Sequence, residues 1–193
     1  MSKIFLVMGK SATGKDTIYK RMVEDRSLHL KTLVTYTTRP IRNGETDGKE
    51  YFFVTKKELE KFRADGKIIE CRTYHTVHGD WHYFMVDDGQ IQDGEENYIM
   101  ISTLEGYEAL VNYFGPERVV PVYVQVEDGI RLTRALEREK RQQTPKYAEM
   151  CRRFLADQED FREEELNRLG ITKRYENTEL EKCISQIIAD IQR

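Results

Sequence analysis

Cysteine is scarce. Cys71, Cys151 and Cys183 are the only three in 193 residues, and they lie far apart. That spacing offers no disulfide framework and no zinc pattern, and it suits a reducing compartment. A cytoplasmic protein is therefore expected. No stretch approaches the roughly 18 apolar residues that a membrane-spanning helix needs. The run Ile4-Phe5-Leu6-Val7-Met8 is too short for a signal-peptide core and has no small-residue cleavage site behind it. One-sided charge is also absent: Lys plus Arg number 31 and Asp plus Glu 34, for a net charge of −3. Such a balance argues against a dedicated nucleic-acid binder, although a local basic cluster can still grip phosphates. There is no internal repeat and no low-complexity tract. What remains is 39% hydrophobic and 10% aromatic, enough for the core of one domain over 1–193.

Short apolar runs alternate with helical patterns. Residues 3–8, 97–102 and 119–126 read as buried strands. Pro121 marks an edge or irregularity in the third. Residues 15–29, the stretch carrying Leu104, Leu110 and Phe114, and 129–143, 146–168 and 179–192 read as helices. The last places Leu180, Ile184, Ile187, Ile188 and Ile191 on one face. The alternation predicts an α/β fold, three layers around a parallel sheet. Residues 35–95 break the rhythm with polar and aromatic residues and read as an inserted subdomain. Inside it, Thr55 with Glu58 forms a capping box, and 72–88 alternates like exposed antiparallel strands. The charged stretch 137–157 reads as a smaller insertion, a lid.

Gly9-Lys10-Ser11-Ala12-Thr13-Gly14-Lys15-Asp16-Thr17 follows a predicted strand and opens a predicted helix. This is the context a phosphate-binding loop requires. Gly9 and Gly14 allow a tight turn and close approach to oxygens, amides at the helix start form an anion cradle, and Lys15 supplies a flexible cation. The usual motif has Ser or Thr after the lysine to hold magnesium. Here that position is Asp16, with Thr17 next, and the metal contact is open between them.

A second cluster lies in Thr35-Tyr36-Thr37-Thr38-Arg39-Pro40-Ile41-Arg42-Asn43-Gly44-Glu45 and runs on to Tyr51-Phe52-Phe53. Two arginines three residues apart in a hydroxyl-rich loop match phosphate oxygens. A phosphate site separate from the glycine turn implies phosphoryl transfer between two phosphorylated compounds.

Together the turn and this loop resemble the guanylate kinase family, whose loop reads roughly S-x-T-T-R-x-x-R-x-G-E-x-x-G-x-x-Y-x-F. The resemblance weakens toward the C-terminus. It implies a P-loop kinase core with an acceptor-binding subdomain over 35–95 and a helical lid. ATP with Mg2+ would be the donor pair, and GMP the favoured acceptor. Residues Gly9 to Thr17 and Asn177 would hold the donor, and Asp16 or Thr17 the metal. Arg39, Arg42 and Tyr51 would grip the acceptor phosphate, with Thr35 at a position where the family often has serine. Glu70 resembles the family carboxylate that accepts from guanine; an ionised carboxylate suits the N1 and N2 donors that adenine lacks as a pair. Tyr83 is the best match for a further phosphate-binding tyrosine. Arg134, Arg138 and Arg153 would close over the transferring group as catalytic cations beside Lys15.

The chain departs from the family in three places. The segment Tyr74-His75-Thr76-Val77-His78-Gly79-Asp80-Trp81-His82-Tyr83-Phe84 is altered. Its histidines invite a zinc reading, but no third ligand falls into place, and pocket-lining or surface histidines are the expectation. Ile101-Ser102-Thr103-Leu104-Glu105-Gly106 lacks the family aspartate, leaving Ser102 or Thr103 in its stead without the charge. Glu139 stands where the family has a glycine after its second lid arginine. These departures keep two alternatives open: a kinase for a phosphosugar such as a ribose bisphosphate, and a non-catalytic guanylate-kinase-like binding module. Monomer and homodimer are both compatible with the sequence.

Overall fold

The computed structural model describes residues 2–76, 79–92, 94 and 96–192. His78, named above in the zinc reading, lies outside them. The described residues build two sheets. The first contains β1 (Ile4–Met8), β2 (Leu30–Thr32), β7 (Asn97–Ile101), β8 (Val119–Gln125) and β9 (Tyr175–Glu176), in the order β2-β7-β1-β8-β9. All its pairings are parallel. Every residue of β1 is buried, as expected of a central parallel strand covered on both faces. One face carries Ile4, Leu6 and Met8 against Leu104, Leu110 and Leu166, and the other packs Phe5 and Val7 against Ile18, Met22 and Ile187. The period-two alternation of β1 thus divides one strand between two cores.

The layers on these faces are α1 (Lys15–Glu24), α3 (Leu104–Phe114), α4 (Asp128–Lys140), α5 (Tyr147–Asp160), α6 (Glu163–Arg168) and α7 (Leu180–Ile191). The predicted helix over 15–29 is shorter, with a separate 3₁₀ turn over Arg26–Leu28. The Asp25 carboxylate accepts from Ser27 N and starts that turn instead of continuing α1. The expected helix over 146–168 is two helices. Phe161 leaves the helical region and buries its ring against Tyr123, which breaks the run. Pro121 sits in the part of β8 that β9 does not reach, since β9 pairs only with Val124 and Gln125.

Between β2 and β7 the chain leaves for a second, mixed sheet, ordered β4-β3-β6-β5. Its strands are β3 (Tyr36–Thr37), β4 (Phe52–Phe53), β5 (Ile68–Thr76) and β6 (Gly79–Val86), and α2 (Lys56–Ala64) accompanies them. The hairpin β5–β6 is antiparallel, as the alternation over 72–88 predicts. A small core of Leu59, Phe84 and Val86, with Tyr36 and Phe62 against it, joins α2 to this sheet. The Thr55–Glu58 capping box is present in both directions. Thr55→Ala should lower stability by about 1 kcal/mol, read as a lower urea midpoint at constant slope. An unmoved midpoint would show that the cap contributes nothing to α2.

Candidate active site

The turn after β1 arrives at the carboxyl edge of the parallel sheet, the edge where ligands sit in open α/β folds. Gly9 has φ of 150°, and a Cβ there would lie 2.3 Å from the Val124 carbonyl oxygen. Gly14 has φ of 88°, and a Cβ would meet Asn177 Nδ2 at 2.5 Å. Both positions therefore demand glycine. Gly14 is also the N-cap of α1 and brings no side chain to its amides, which leaves them facing outward.

Several side chains outside the turn hold it open. Asn177, 3% exposed, donates from Nδ2 to the Thr13 carbonyl at 2.7 Å. Arg131 is fully buried and donates from Nη1 to the Ser11 carbonyl at 2.8 Å. It also donates to Asp128 Oδ1 from Nε and Nη2, and to Asp157 Oδ2 at 3.2 Å. Its guanidinium lies over the Phe154 ring at 4.5 Å. Asp157 in turn accepts from Ser11 N at 2.8 Å, so one α5 carboxylate already takes a turn amide. Lys10 points away, to Gln158, and lies 3.9 Å from Asp128. Burial lowers the Lys15 ammonium below its ordinary value; nearby Asp16 and Asp157 oppose this, and Arg153 and Arg138 reinforce it. Asp16 and Thr17 are exposed on the first turn of α1.

The three arginines predicted for the lid separate. Arg138 and Arg153 line a cleft of about 170 Å³ together with Ser11, and Arg153 Nη2 donates to Ser11 Oγ at 3.3 Å. Arg134 instead donates to the Asn177 carbonyl at 3.0 Å, behind the turn. Glu139, at the expected glycine position, is buried and accepts from Lys146 N and Gln142 Nε2. It ties the α4–α5 connection together.

In the second sheet Arg39, 3% exposed, is held on every side. Its Nη1 and Nη2 donate in a fork to Glu45 at 2.8 Å each, Nη1 donates to the Pro40 carbonyl, and Nε donates to the Tyr83 hydroxyl at 3.1 Å. That leaves one Nη2 hydrogen uncommitted. The Tyr51 and Phe53 rings flank the guanidinium, and Tyr51 and Tyr83 pack edge to face at 5.5 Å. Arg42 is exposed nearby, its backbone N–H donating to Glu45. The structure therefore brings Arg39, Arg42, Tyr51 and Tyr83 together. Thr35 is half-buried and serves the sheet through its carbonyl, which accepts from Phe52 N.

Glu70, 8% exposed, is not alone. Arg72 forks onto it, from Nε to Oε2 at 3.0 Å and from Nη2 to Oε1 at 3.1 Å. Arg72 also donates from Nη1 to Thr103 Oγ1, the N-cap of α3, at 3.3 Å. Burial raises the Glu70 carboxyl, and Arg72 opposes that rise. Ser102 is buried, and its N–H donates to the Val7 carbonyl. Because β7 neighbours β1, the Arg72–Thr103 bond carries the second sheet to the same carboxyl edge as the glycine turn. His75 and His82 bond to Asp80 and Thr73 within the hairpin. Among the described residues, no three His, Cys, Asp or Glu side chains gather in a metal-binding group.

Sequence reasoning missed Arg72, Arg131 and Asp157 as site residues. Arg72 could have been found from strand alternation, since it stands two residues from Glu70. Asp128 and Arg131, three apart on a helix, gave a weaker hint.

A glycine turn between a central parallel strand and a helix, on a three-layer core with a second sheet at its carboxyl edge, defines a phosphate-binding-loop α/β protein. The family model for guanylate kinase matches residues 1–101, and this chain belongs to that family. Similar proteins include the guanylate kinase of Porphyromonas gingivalis, 27% identical over 126 residues, covering 64% of this chain and 65% of that one. Those of Mycoplasmoides gallisepticum (34% over 103 residues, 53% and 52% covered) and Schizosaccharomyces pombe (44% over 72 residues, 37% and 36% covered) also match. The matched stretches thus span 36% to 65% of these relatives' lengths. A crystal structure of guanylate kinase from Anaplasma phagocytophilum shares the fold over 99% of this chain and 85% of that one, with a TM-score of 0.60 and 19% identity.

Two outcomes are expected from this geometry. Arg131→Met should cost about 2–4 kcal/mol, because it strands half-buried acceptors, two of them carboxylates, and should weaken nucleotide binding. Calorimetry on the folded variant that gave unchanged affinity would remove Arg131 from the turn's support. Hydrogen bonds from Arg39 hold the Glu45 carboxyl down at about 2. The pair's contribution to stability is complete above the ordinary value of 4.5 and is lost as pH falls through about 2. In Glu45→Gln the acid limb of the stability curve should flatten between those values; an unchanged limb would contradict the pairing.

Proposed function

We propose that the chain transfers the terminal phosphoryl group of ATP to a nucleoside monophosphate, with GMP as the first candidate, giving ADP and GDP. The observation that supports this reading is a chain of contacts that leads from a cluster of arginines and tyrosines to the sheet edge that bears the glycine turn. One end is the open amide turn with Lys15. The other is the Arg39, Arg42, Tyr51 and Tyr83 cluster, brought to the neighbouring strand end through Arg72 and Thr103. Hydrolysis needs only the first; transfer needs both.

In this reading the turn amides and Lys15 orient the donor phosphates. Arg42 and Tyr51 grip the acceptor phosphate, and Arg39, already fixed by Glu45, orients them and adds its free N–H. The acceptor phosphate is itself an anion at neutral pH, so alignment and charge cancellation suffice and no general base is required. Arg138 and Arg153, beside Ser11, are placed to offset charge on the transferring group and to exclude water. Asp16 and Thr17 are the groups that would hold magnesium, which when bound offsets charge on the donor phosphates. The glycines at positions 9 and 14, where a Cβ would intrude, fit a cradle for the donor phosphates.

A phosphosugar acceptor is the second reading. It is favoured by the neutral Ser102-Thr103 pair at the family aspartate position and by the added cation Arg72. An ADP-release screen over GMP, dGMP, AMP, UMP and phosphosugars separates the two. Lys15→Met should lower turnover by about 100-fold or more, since it removes a transition-state cation, while most GMP affinity survives. A fully active variant would refute the assignment, and ATP failing to bind the wild type would favour a binding module.

A further inference from the structure

Helix α5 brings a negative charge into the glycine turn. Asp157, with a side chain 13% exposed, accepts from Ser11 N at 2.8 Å through Oδ2 and from Ser11 Oγ at 3.3 Å through Oδ1. Oδ2 also accepts from Arg131 Nη1 at 3.2 Å. Asp157 is close enough to Lys15 to oppose the lowering that burial imposes on its ammonium. A backbone amide, a hydroxyl, a guanidinium and a nearby ammonium are the donors that phosphate oxygens take at such a turn. Here a carboxylate of the chain itself takes them.

A carboxylate so placed is either a brace that fixes Ser11 or an occupant that a donor phosphate has to displace. The rest of the turn's support favours the occupant. Arg131 already holds the Ser11 carbonyl, and Asn177 the Thr13 carbonyl. A brace for an N–H needs an acceptor but no charge, whereas Asp157 adds a full negative charge beside the loop that carries Lys15. A second carboxylate is already present, since Asp128 takes Nε and Nη2 of the same Arg131. Neighbours of Asp157 on α5 are fastened to the turn as well. Arg153 Nη2 donates to Ser11 Oγ at 3.3 Å, and Gln158 Oε1 accepts from Lys10. These are long or side-chain contacts that can be exchanged for a phosphate, so displacing Asp157 also frees Arg153 and Lys10 to meet the incoming charge.

We infer that Asp157 is a specificity-determining residue of the donor site: its carboxylate competes with the terminal phosphate of the donor for the Ser11 donors, and so weakens triphosphate binding more than diphosphate binding. This rests on the kinase reading above. Within it, the carboxylate gives way when ATP binds and recovers its donors once ADP is left. The test is the Kd for ATP and for ADP by calorimetry, at one magnesium concentration, in the wild type, Asp157→Asn and Asp157→Ala, with circular dichroism as the check on folding. Asp157→Asn keeps an acceptor for the Ser11 amide and removes the charge, which separates the two roles. The ratio of the ADP Kd to the ATP Kd should rise by about 10-fold or more in this variant, the effect of removing one like charge from a partly buried site. Asp157→Ala should raise it similarly, and it serves should the Asn variant fail to fold. Loss of a mere brace would leave the ratio where it was, because both nucleotides use the same turn. A ratio unmoved or lowered in a folded variant would therefore overturn the role of Asp157 and leave the kinase reading standing. Neither nucleotide binding to the wild type or to the variants would overturn both.

Discussion

The glycine turn bonds to itself only in part, where Thr13 donates from its N–H and its hydroxyl to the Lys10 carbonyl, and much of its shape is held from outside. In this chain Asn177 and Arg131 do this, each donating to a turn carbonyl, at Thr13 and Ser11. The donors arrive from distant parts of the sequence, one after β9 and one on α4. The turn is therefore a product of the tertiary fold; Gly14 is what lets Asn177 come close, and Gly9 what lets β8 do so at Val124. Asp157 completes the arrangement by bonding to both Arg131 and the Ser11 amide, which couples α5 to the turn. Any movement of α5 is felt at Ser11.

The second sheet follows a similar rule with the charges reversed. Its two central arginines are each anchored by a glutamate: Arg39 by Glu45 and Arg72 by Glu70. A guanidinium fixed in this way loses less freedom when it meets a ligand, and a buried carboxylate avoids the cost of standing unpaired. The consequence differs between the pairs. Arg39 is turned so that its aromatic neighbours and Tyr83 form one wall with it, whereas Arg72 also reaches Thr103 at the start of α3.

Much of this was legible because it depends on local pattern. The buried β1, the turn with its two glycines, the Thr55 cap and the alternating hairpin are each written in adjacent residues. So were Arg39, Arg42 and Tyr51, through the family loop, and Tyr83, through its match in the altered segment after Glu70. The family match ends at residue 101, near the close of β7, and the lid lies beyond it. There the three arginines were taken from the resemblance where it is weakest; Arg134 donates to the Asn177 carbonyl, while Arg138 and Arg153 stand beside Ser11. Arg131 and Asp157 escaped because their bonds to Ser11 and to each other span more than twenty residues, and no periodicity marks such contacts. The break at Phe161 escaped because a burial preference, set by Tyr123, overrode helical propensity.

The central proposal is that the glycine turn and the arginine loop hold two phosphorylated compounds toward one another across one cleft. A bisubstrate analogue, adenosine joined to guanosine through five phosphates, tests it directly by calorimetry. The account predicts binding at least about 100-fold tighter than ATP or GMP alone, weakened by Lys15→Met and by Arg42→Ala alike. Affinity no better than that of ATP, and insensitive to Arg42, would place the two sites apart and contradict it.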